Sequence, residues 1–246
     1  MLRLTQVTSR SPKRLSKHYE LHNGELIKEP GGKMSEGTCS VREIADMEEF
    51  AELLSGLRTN EALIYGVPKG MDTAKIVRSA AYEQLPEEKR VGIVARTTNH
   101  FEWPDGPGIF MLDYDPDDEI KALSKTELLS VLHEVVPEFQ NIPKVWWPSS
   151  SSHIYETDGR DRTGLRGQRV YVPVSDARQI PDLSCKLEKL FWAAGHGKVR
   201  IGKSGQCLKR TPMDHCVYQP NRLDFAAGAS TGKGLVQKRG EPEVLS

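Results

Sequence analysis

Residues 108–115 read Gly-Ile-Phe-Met-Leu-Asp-Tyr-Asp, a short apolar run that ends in two carboxylates. Successive side chains of a β-strand point to opposite faces, so we expect Asp113 and Asp115 on one face, about 7 Å apart. Carboxylate oxygens are the ligands that Mg²⁺ and Mn²⁺ prefer, and these ions keep coordination positions open for phosphate oxygens. The segment therefore predicts a strand that ends in a divalent-metal site for nucleotide chemistry.

Other classes of protein also carry an Asp-x-Asp motif. Asp113, Asp115 and Asp117 mimic the start of an EF-hand calcium loop. The sixth position of that loop is Asp118 rather than Gly, and its twelfth is Ser124 rather than Glu. Haloacid-dehalogenase phosphatases and sugar-nucleotide glycosyltransferases place Asp-x-Asp at a strand end. A solvated acidic turn introduced by Pro116 is the purely structural alternative.

Composition bounds the class of protein. The chain has 246 residues, 37% of them hydrophobic, which is enough for one sizeable core or for one core built from two lobes. Lys plus Arg and Asp plus Glu both total 34, so any nucleic-acid surface must be local. The four cysteines form no C-x-x-C pair, and no apolar run approaches the ~20 residues of a membrane span. The basic N-terminus is not followed by a signal-peptide core, so we expect a cytoplasmic protein with no membrane partner.

The hydrophobic periodicity predicts an α+β chain. Residues 1–38 are expected to be an irregular lead-in or a short hairpin, followed by a single domain over 39–240 with an N-terminal α/β lobe over 39–107 and a catalytic sheet over 108–228. From residue 108 the order is strand, helix, strand, strand, helix, strand, which is compatible with a ferredoxin-like or RNA-recognition-type sheet. The predicted helices run from the Ser40 capping box to near Gly56, over 72–85, from the Ser124 capping box to about Phe139, and over 181–194; the predicted strands cover 62–67, 90–95, 144–147, 168–175 and 198–201.

A Ser-rich segment follows the acidic pair by about forty residues. If residues 152–155 are extended, Ser151, His153 and Tyr155 share one face, and a hydroxyl and an imidazole can together donate hydrogen bonds to a triphosphate. A Ser-rich turn followed by a half-buried histidine is the structural alternative.

A third carboxylate stands at the end of the 168–175 strand. Val170, Val172 and Val174 alternate onto one face, and Asp176 continues that register, so it can join the acidic pair if the two strands are neighbours. Pro173 removes a ladder donor, which indicates an edge or irregular strand. Asp176 can instead cap the following helix. Asp214 is then the alternative third ligand.

Asp-x-Asp, then Ser-x-His, then a strand-terminal Asp resembles the archaeo-eukaryotic primase superfamily, which includes the primase-polymerases of plasmids, phages and integrated elements. The resemblance covers residues 96–228, and residues 191–225 also look like the tail of primase-like domains in mobile elements. It implies an RNA-recognition-type catalytic sheet beside an N-terminal α/β part, two Mg²⁺ or Mn²⁺ ions held by Asp113, Asp115 and Asp176, and triphosphate contacts from Ser151 and His153. A helicase module or protein often accompanies such domains.

Residues 197–204 match the Walker A pattern, but a helix precedes them and a poor helix former follows. We therefore expect Lys203, with Lys209 and Arg210, to form a local basic patch for triphosphate or template backbone rather than a P-loop. A solvated loop is the plain structural alternative for each of these residues.

The function expected from the sequence is template-dependent nucleotidyl transfer, as in a DNA primase or polymerase, with nucleoside triphosphates and a single-stranded DNA template as partners. One alternative is a non-catalytic single-strand-binding module that stacks bases on Trp146, Trp147 or Tyr155. A sugar-nucleotide transferase is the other, and it leaves Ser-x-His and Asp176 unexplained.

Overall fold

The computed structural model describes residues 1–116, 121–202 and 204–246, and within them the chain is a β-rich α+β protein with several sheets and few helices. The strands are β1 (Leu2–Ser11), β2 (His18–His22), β3 (Glu25–Glu29), β4 (Glu36–Ile44), β5 (Glu61–Ile64), β6 (Val67–Pro68), β7 (Thr73–Val77), β8 (Ile93–Ala95), β9 (Phe101–Glu102), β10 (Gly108–Tyr114), β11 (Lys144–Pro148), β12 (Ile154–Glu156), β13 (Gln168–Val174), β14 (Lys198–Ile201), β15 (Cys207–Arg210), β16 (Ser230–Thr231), β17 (Leu235–Gln237) and β18 (Glu243–Leu245). The helices are α1 (Met47–Ser55), α2 (Ser79–Glu83), α3 (Lys125–Val135) and α4 (Ile180–Ala193), with short 3₁₀ turns at Glu87–Lys89, Pro137–Asn141, Ala177–Gln179 and His215–Val217.

The first sheet has the strand order β5-β1-β4-β7-β8. The irregular lead-in expected over residues 1–38 is therefore wrong for β1, which pairs with both β4 and β5, whereas the expected hairpin is present as β2 and β3. Leu4 and Val7 of β1 are fully buried. The buried Thr5 hydroxyl between them donates to the Gly66 carbonyl oxygen at 2.7 Å, so tertiary pairing stabilises a strand whose own sequence is rather polar.

Two predicted helices differ from the structure. The Ser40 capping box lies inside β4, which continues to Ile44 because Ile44 pairs with Leu2; α1 begins only at Met47, and Asp46 caps it by accepting from the Glu49 N–H. The helix expected over 72–85 is replaced by β7 followed by the short α2, because β7 pairs with both β4 and β8. Local periodicity was overridden in both places by sheet pairing.

The second sheet has the order β10-β13-β11-β18, and all of its strand pairs are antiparallel. Along the chain its parts are strand β10, helix α3, strand β11, strand β13 and helix α4, as predicted. The Ser124 capping box is confirmed, since its hydroxyl accepts from the Glu127 N–H and the Glu127 carboxylate accepts from the Ser124 N–H.

Alternation along these strands divides the side chains between two cores. One face carries Ile109, Met111 and Tyr171 and packs against α1 and the first sheet. The other face carries Phe110, Leu112 and Val170 and packs against α3 and α4. The face that meets the first sheet is also the face on which Asp113 and Arg169 project, because both continue the odd-numbered register.

The strand expected over 198–201 does not join this sheet. β14 pairs only with β15 among the described residues, as a separate two-stranded ribbon. The free edge of β10 is met instead by the next segment, where the Asp214 N–H donates to the Asp113 carbonyl oxygen at 3.0 Å. Within the described residues, no helix is long and apolar enough to cross a membrane.

Candidate functional site

The antiparallel register brings two of the predicted motifs to the same end of the second sheet. Gln168, the first residue of β13, pairs with Tyr114 at the end of β10 and with Pro148 at the end of β11. The Asp-x-Asp motif and the Ser-rich segment therefore leave the sheet at the same end, from two strands that are separated by β13. A Cβ at Gly167 would lie 2.8 Å from the Ser149 hydroxyl and 3.2 Å from the Tyr114 carbonyl oxygen, so glycine permits this close approach.

Asp113 is the half-buried member of the acidic pair. It pairs across the sheet with Arg169, and its carboxylate lies 3.5 Å from the Arg169 Nε. Burial raises the pKa of Asp113; Arg169 opposes the shift, whereas Asp224, Asp115 and Asp214 add to it. Asp115 follows the strand and is exposed. Asp113 thus lies in an acidic environment that one arginine only partly neutralises.

Arg169 also contacts a buried carboxylate to which the sequence analysis assigned no role. Its Nη1 lies 3.1 Å from the Asp224 Oδ1, and the side chain of Asp224 is 1% exposed. The Tyr65 and Tyr171 hydroxyls donate to the Asp224 Oδ2 at 2.6 and 3.0 Å. Burial opposes the charge of Arg169, but Asp224, Tyr171 and Asp113 outweigh it and raise the pKa of the guanidinium. A charged residue at position 169, next to the apolar run of residues 170–174, is the sequence signal for this network.

Asp214 lies along the free edge of β10. Besides the backbone hydrogen bond to Asp113, its carboxylate accepts from the Cys216 N–H at 2.9 Å and caps a 3₁₀ turn. Tyr218 follows this turn and stacks on Phe110, and burial, with Asp113 and Asp214, raises the pKa of its hydroxyl well above the usual value. Of the two alternatives for a third carboxylate, Asp214 is the one near the acidic pair.

Asp176 does not join the site. Val174 pairs with Gly108, at the opposite end of β10 from Asp113, so five residue steps, about 16 Å, separate that end from the acidic pair. The Asp176 carboxylate accepts from the Arg178 N–H and forms an ion pair with the Arg178 side chain at 2.9 Å, which lowers the pKa of Asp176. Its predicted role as a metal ligand is therefore wrong, and it caps the following turn.

The predicted Ser-x-His pair is only partly arranged as expected. The Ser149 and Ser151 hydroxyls are 2.9 Å apart, beside the end of β10, whereas His153 adopts a positive φ of 58° and so interrupts the extended segment. The His153 ring lies parallel to the Tyr155 ring, with centroids 6.5 Å apart. The structure thus places Ser151 after the strand end that β11 shares with the acidic pair of β10, and it gives His153 an aromatic neighbour in Tyr155.

Lys17, which directly precedes β2, is a cation that the sequence analysis did not assign to the site. Burial lowers its pKa, Arg169 and Lys28 act in the same direction, and Asp115 and Asp113 oppose them. It is only partly exposed. The charge of Lys17 thus interacts favourably with both carboxylates of the motif.

The remaining predicted residues have different outcomes. Lys203 lies outside the described residues. Residues 207–210 after the Walker-like pattern form a strand rather than a helix, so the context of a P-loop is absent from the described part of this segment. Trp146 and Trp147 are both buried, and their indole N–H groups donate to the Gln168 side chain and the Gly240 carbonyl oxygen. Neither indole is a free stacking surface.

The donor set fits a hard divalent cation in kind. Asp113, Asp115 and Asp214 supply carboxylate oxygens, and their mutual repulsion at Asp113 is what a cation would relieve. Over residues 1–116, 121–202 and 204–246, however, no three His, Cys, Asp or Glu side chains are arranged closely enough to hold a metal ion.

Comparison with models of known protein families, with curated protein sequences and with solved structures finds no significant match to this chain.

Proposed function

We propose that this protein is a template-dependent nucleotidyl transferase of the primase-polymerase type, which joins nucleotides on a single-stranded DNA template. The observation that carries the proposal is the common end of β10 and β11, where the acidic pair and the Ser-rich segment meet beside two cations, Lys17 and Arg169. Carboxylates, hydroxyls and cations at one end of a sheet are the groups that nucleotide chemistry needs.

The topology supports the same proposal. Across the sheet, β10, the first of these strands along the chain, lies next to β13, the third, and β13 lies next to β11, the second. Helices α3 and α4 pack on one face of this sheet. This order agrees with the RNA-recognition-type sheet that the resemblance to archaeo-eukaryotic primases implies. The segment that carries Asp214 lies at the edge of β10, where a fourth strand of such a sheet would be.

Each residue of the candidate site has a role under this proposal. Asp113, Asp115 and Asp214 would hold Mg²⁺ or Mn²⁺, which when bound lowers the pKa of the attacking 3′-hydroxyl and neutralises charge on the triphosphate. Lys17 would bind the phosphates. Ser151, with His153 near it in sequence, would donate hydrogen bonds to the same phosphates and orient them. Arg169, on the neighbouring strand, orients the Asp113 carboxylate.

A second candidate is a non-catalytic nucleic-acid-binding module. The contact between Arg169 and Asp113, and the lack of a three-ligand cluster among the described residues, favour it. Its predicted stacking residues Trp146 and Trp147 are buried, which leaves Tyr155 with its neighbour His153 as the aromatic surface. A sugar-nucleotide transferase has no specific observation in its favour.

Template-dependent incorporation distinguishes these candidates. We expect the wild type to extend a labelled primer on a DNA template in Mn²⁺, and Asp113→Asn and Asp115→Asn each to abolish incorporation with the fold intact. Asp176→Asn is the matched control, because it is the same chemical change at the far end of the sheet, and it should retain full activity. Equal activity in all three variants would rule out the proposed site.

His153→Ala tests the phosphate-binding part of the proposal separately. Loss of a hydrogen bond to a charged group should weaken nucleotide binding by on the order of 1–3 kcal/mol while template affinity stays unchanged. Titration of a fluorescent nucleotide and a labelled oligonucleotide in Mn²⁺ measures both. Unchanged nucleotide affinity would remove His153 from the site, and a loss of template affinity alone would favour the binding module.

A further inference from the structure

The ribbon formed by β14 and β15 is a basic exposed surface that the candidate site does not use. Lys198, Arg200, Lys209 and Arg210 are all exposed, and residues 198–210 contain no Asp or Glu. Among the described residues β14 and β15 pair only with each other, so the ribbon is not a strand pair of either main sheet. The ribbon therefore lies outside both main cores, with these cations at the exposed surface.

The register divides the ribbon into two faces. Paired residues of an antiparallel ribbon project on the same side, so Lys198 and Arg200 share one face with Arg210. Lys209 lies on the other face with Val199 and Ile201, whose side chains are 56% and 63% exposed. Both faces thus carry positive charge, and one also carries exposed apolar surface.

We propose that this ribbon is a nucleic-acid-binding arm that enters a groove of a double helix and contacts the phosphates on both sides of that groove. The major groove of DNA is about 12 Å wide and admits a two-stranded β-ribbon. Cations on both faces match the two rows of phosphates that border a groove, whereas a single strand offers one row. Val199 and Ile201 would contact sugars or thymine methyl groups.

The position of the ribbon connects this inference with the candidate site. Arg210 precedes Asp214 by four residues, a span of at most about 14 Å. The Asp214 N–H in turn donates a hydrogen bond to the Asp113 carbonyl oxygen. The inference deepens the proposed function, because the duplex beside the site would be the template paired with its growing primer. Duplex binding itself does not depend on catalysis, so the two proposals can fail separately.

The test measures binding of the full chain to a labelled DNA duplex of about 20 base pairs, two helical turns, by fluorescence anisotropy over a range of salt concentrations. The ribbon variant replaces Lys198, Arg200, Lys209 and Arg210 by Gln. If all four contact phosphates, the slope of log K against log salt should become less steep by about 3 to 4, and affinity at moderate salt should fall at least about tenfold. Because the ribbon lies outside both main cores, we expect the circular dichroism and thermal midpoint to stay unchanged.

A charge-matched control replaces four exposed cations elsewhere, Lys13, Lys33, Arg42 and Lys89, by Gln. It should change duplex affinity by less than about twofold. An equal loss in both variants would show a non-specific charge effect and overturn the proposal, as would an unchanged slope in the ribbon variant. A loss confined to the single-stranded form of the same oligonucleotide would also overturn it. Asp113→Asn should bind the duplex normally, so loss of incorporation in that variant tests the proposed function alone.

Discussion

Replacing Asp224 by Asn should be among the most destabilising single changes near the site. Asp224 accepts hydrogen bonds from Tyr65 and Tyr171 and lies 3.1 Å from Arg169, and its side chain is 1% exposed, so solvent cannot replace these partners. Removal of one partner from a buried ion pair leaves the other charge uncompensated, at a cost of about 3–5 kcal/mol. Arg169 is 12% exposed and would keep the 3.5 Å contact with Asp113 and its hydrogen bond to the Phe225 carbonyl oxygen, neither of which balances its charge at ion-pair distance as Asp224 does. We therefore expect the free energy of unfolding to fall by about 3–5 kcal/mol.

Urea denaturation of Asp224→Asn, Arg169→Gln and the double variant measures this energy and its coupling. The double variant should be more stable than the sum of the single changes predicts by about 1–3 kcal/mol, because the second change removes the charge that the first left unpaired. Asp105→Asn is the control: Asp105 is 84% exposed and its ion pair with Arg178 should contribute about 0–1 kcal/mol. A loss below about 1 kcal/mol in Asp224→Asn, or additive single changes, would refute the network.

Three further predictions concern single side chains. Ser124→Ala should lower the free energy of unfolding by about 0.5–2 kcal/mol, measured in urea, because it removes the N-cap of α3; an unchanged value would contradict the capping box. Because the pKa of Asp113 is raised in the folded state, ionised Asp113 destabilises the fold, and wild-type stability is lost as pH rises through that pKa. The stability of Asp113→Asn relative to wild type should therefore increase from about pH 4 upward in denaturation at a series of pH values, and a flat difference would contradict this assignment. Lys17→Met should weaken nucleoside triphosphate binding by about 1–3 kcal/mol in calorimetry, whereas Lys33→Met, at an exposed position, should not; equal affinities would remove Lys17 from the phosphate site.

The elements predicted correctly from the sequence are those whose own residues carry the signal. The apolar run of β10, the alternation of β13 and the capping box of α3 each specify a local structure that the tertiary fold retains. β1 carries no such signal, because Thr5 and Ser9 are buried in it and hydrogen-bonded to backbone carbonyls of Gly66 and Pro12. A buried polar residue whose side chain is hydrogen-bonded within the fold cannot be distinguished in the sequence from a solvated one.

The candidate site was predicted in part for a related reason. The register of β13 was anticipated, but the sequence did not reveal that β13 runs antiparallel to β10, and direction decides which strand ends meet. A parallel neighbour would have brought Asp176 to the acidic pair; the antiparallel one brings Arg169 there instead. Asp224 was missed because its partners Tyr65 and Tyr171 lie 159 and 53 residues away along the chain.

The placement of Arg169 has an electrostatic consequence for the candidate site. The guanidinium is shared between Asp224 and Asp113, but it lies nearer to Asp224, at 3.1 Å against 3.5 Å, and Asp224 is the more deeply buried carboxylate. Because Coulomb attraction strengthens as solvent is excluded, the guanidinium interacts more strongly with Asp224 than with Asp113. Lys17 interacts favourably with Asp115 and Asp113, although burial lowers its own pKa. The fold therefore pairs Arg169 most closely with the buried Asp224. The repulsion of Asp113 by Asp115 and Asp214 is left less fully compensated, and it contributes to the raised pKa of Asp113.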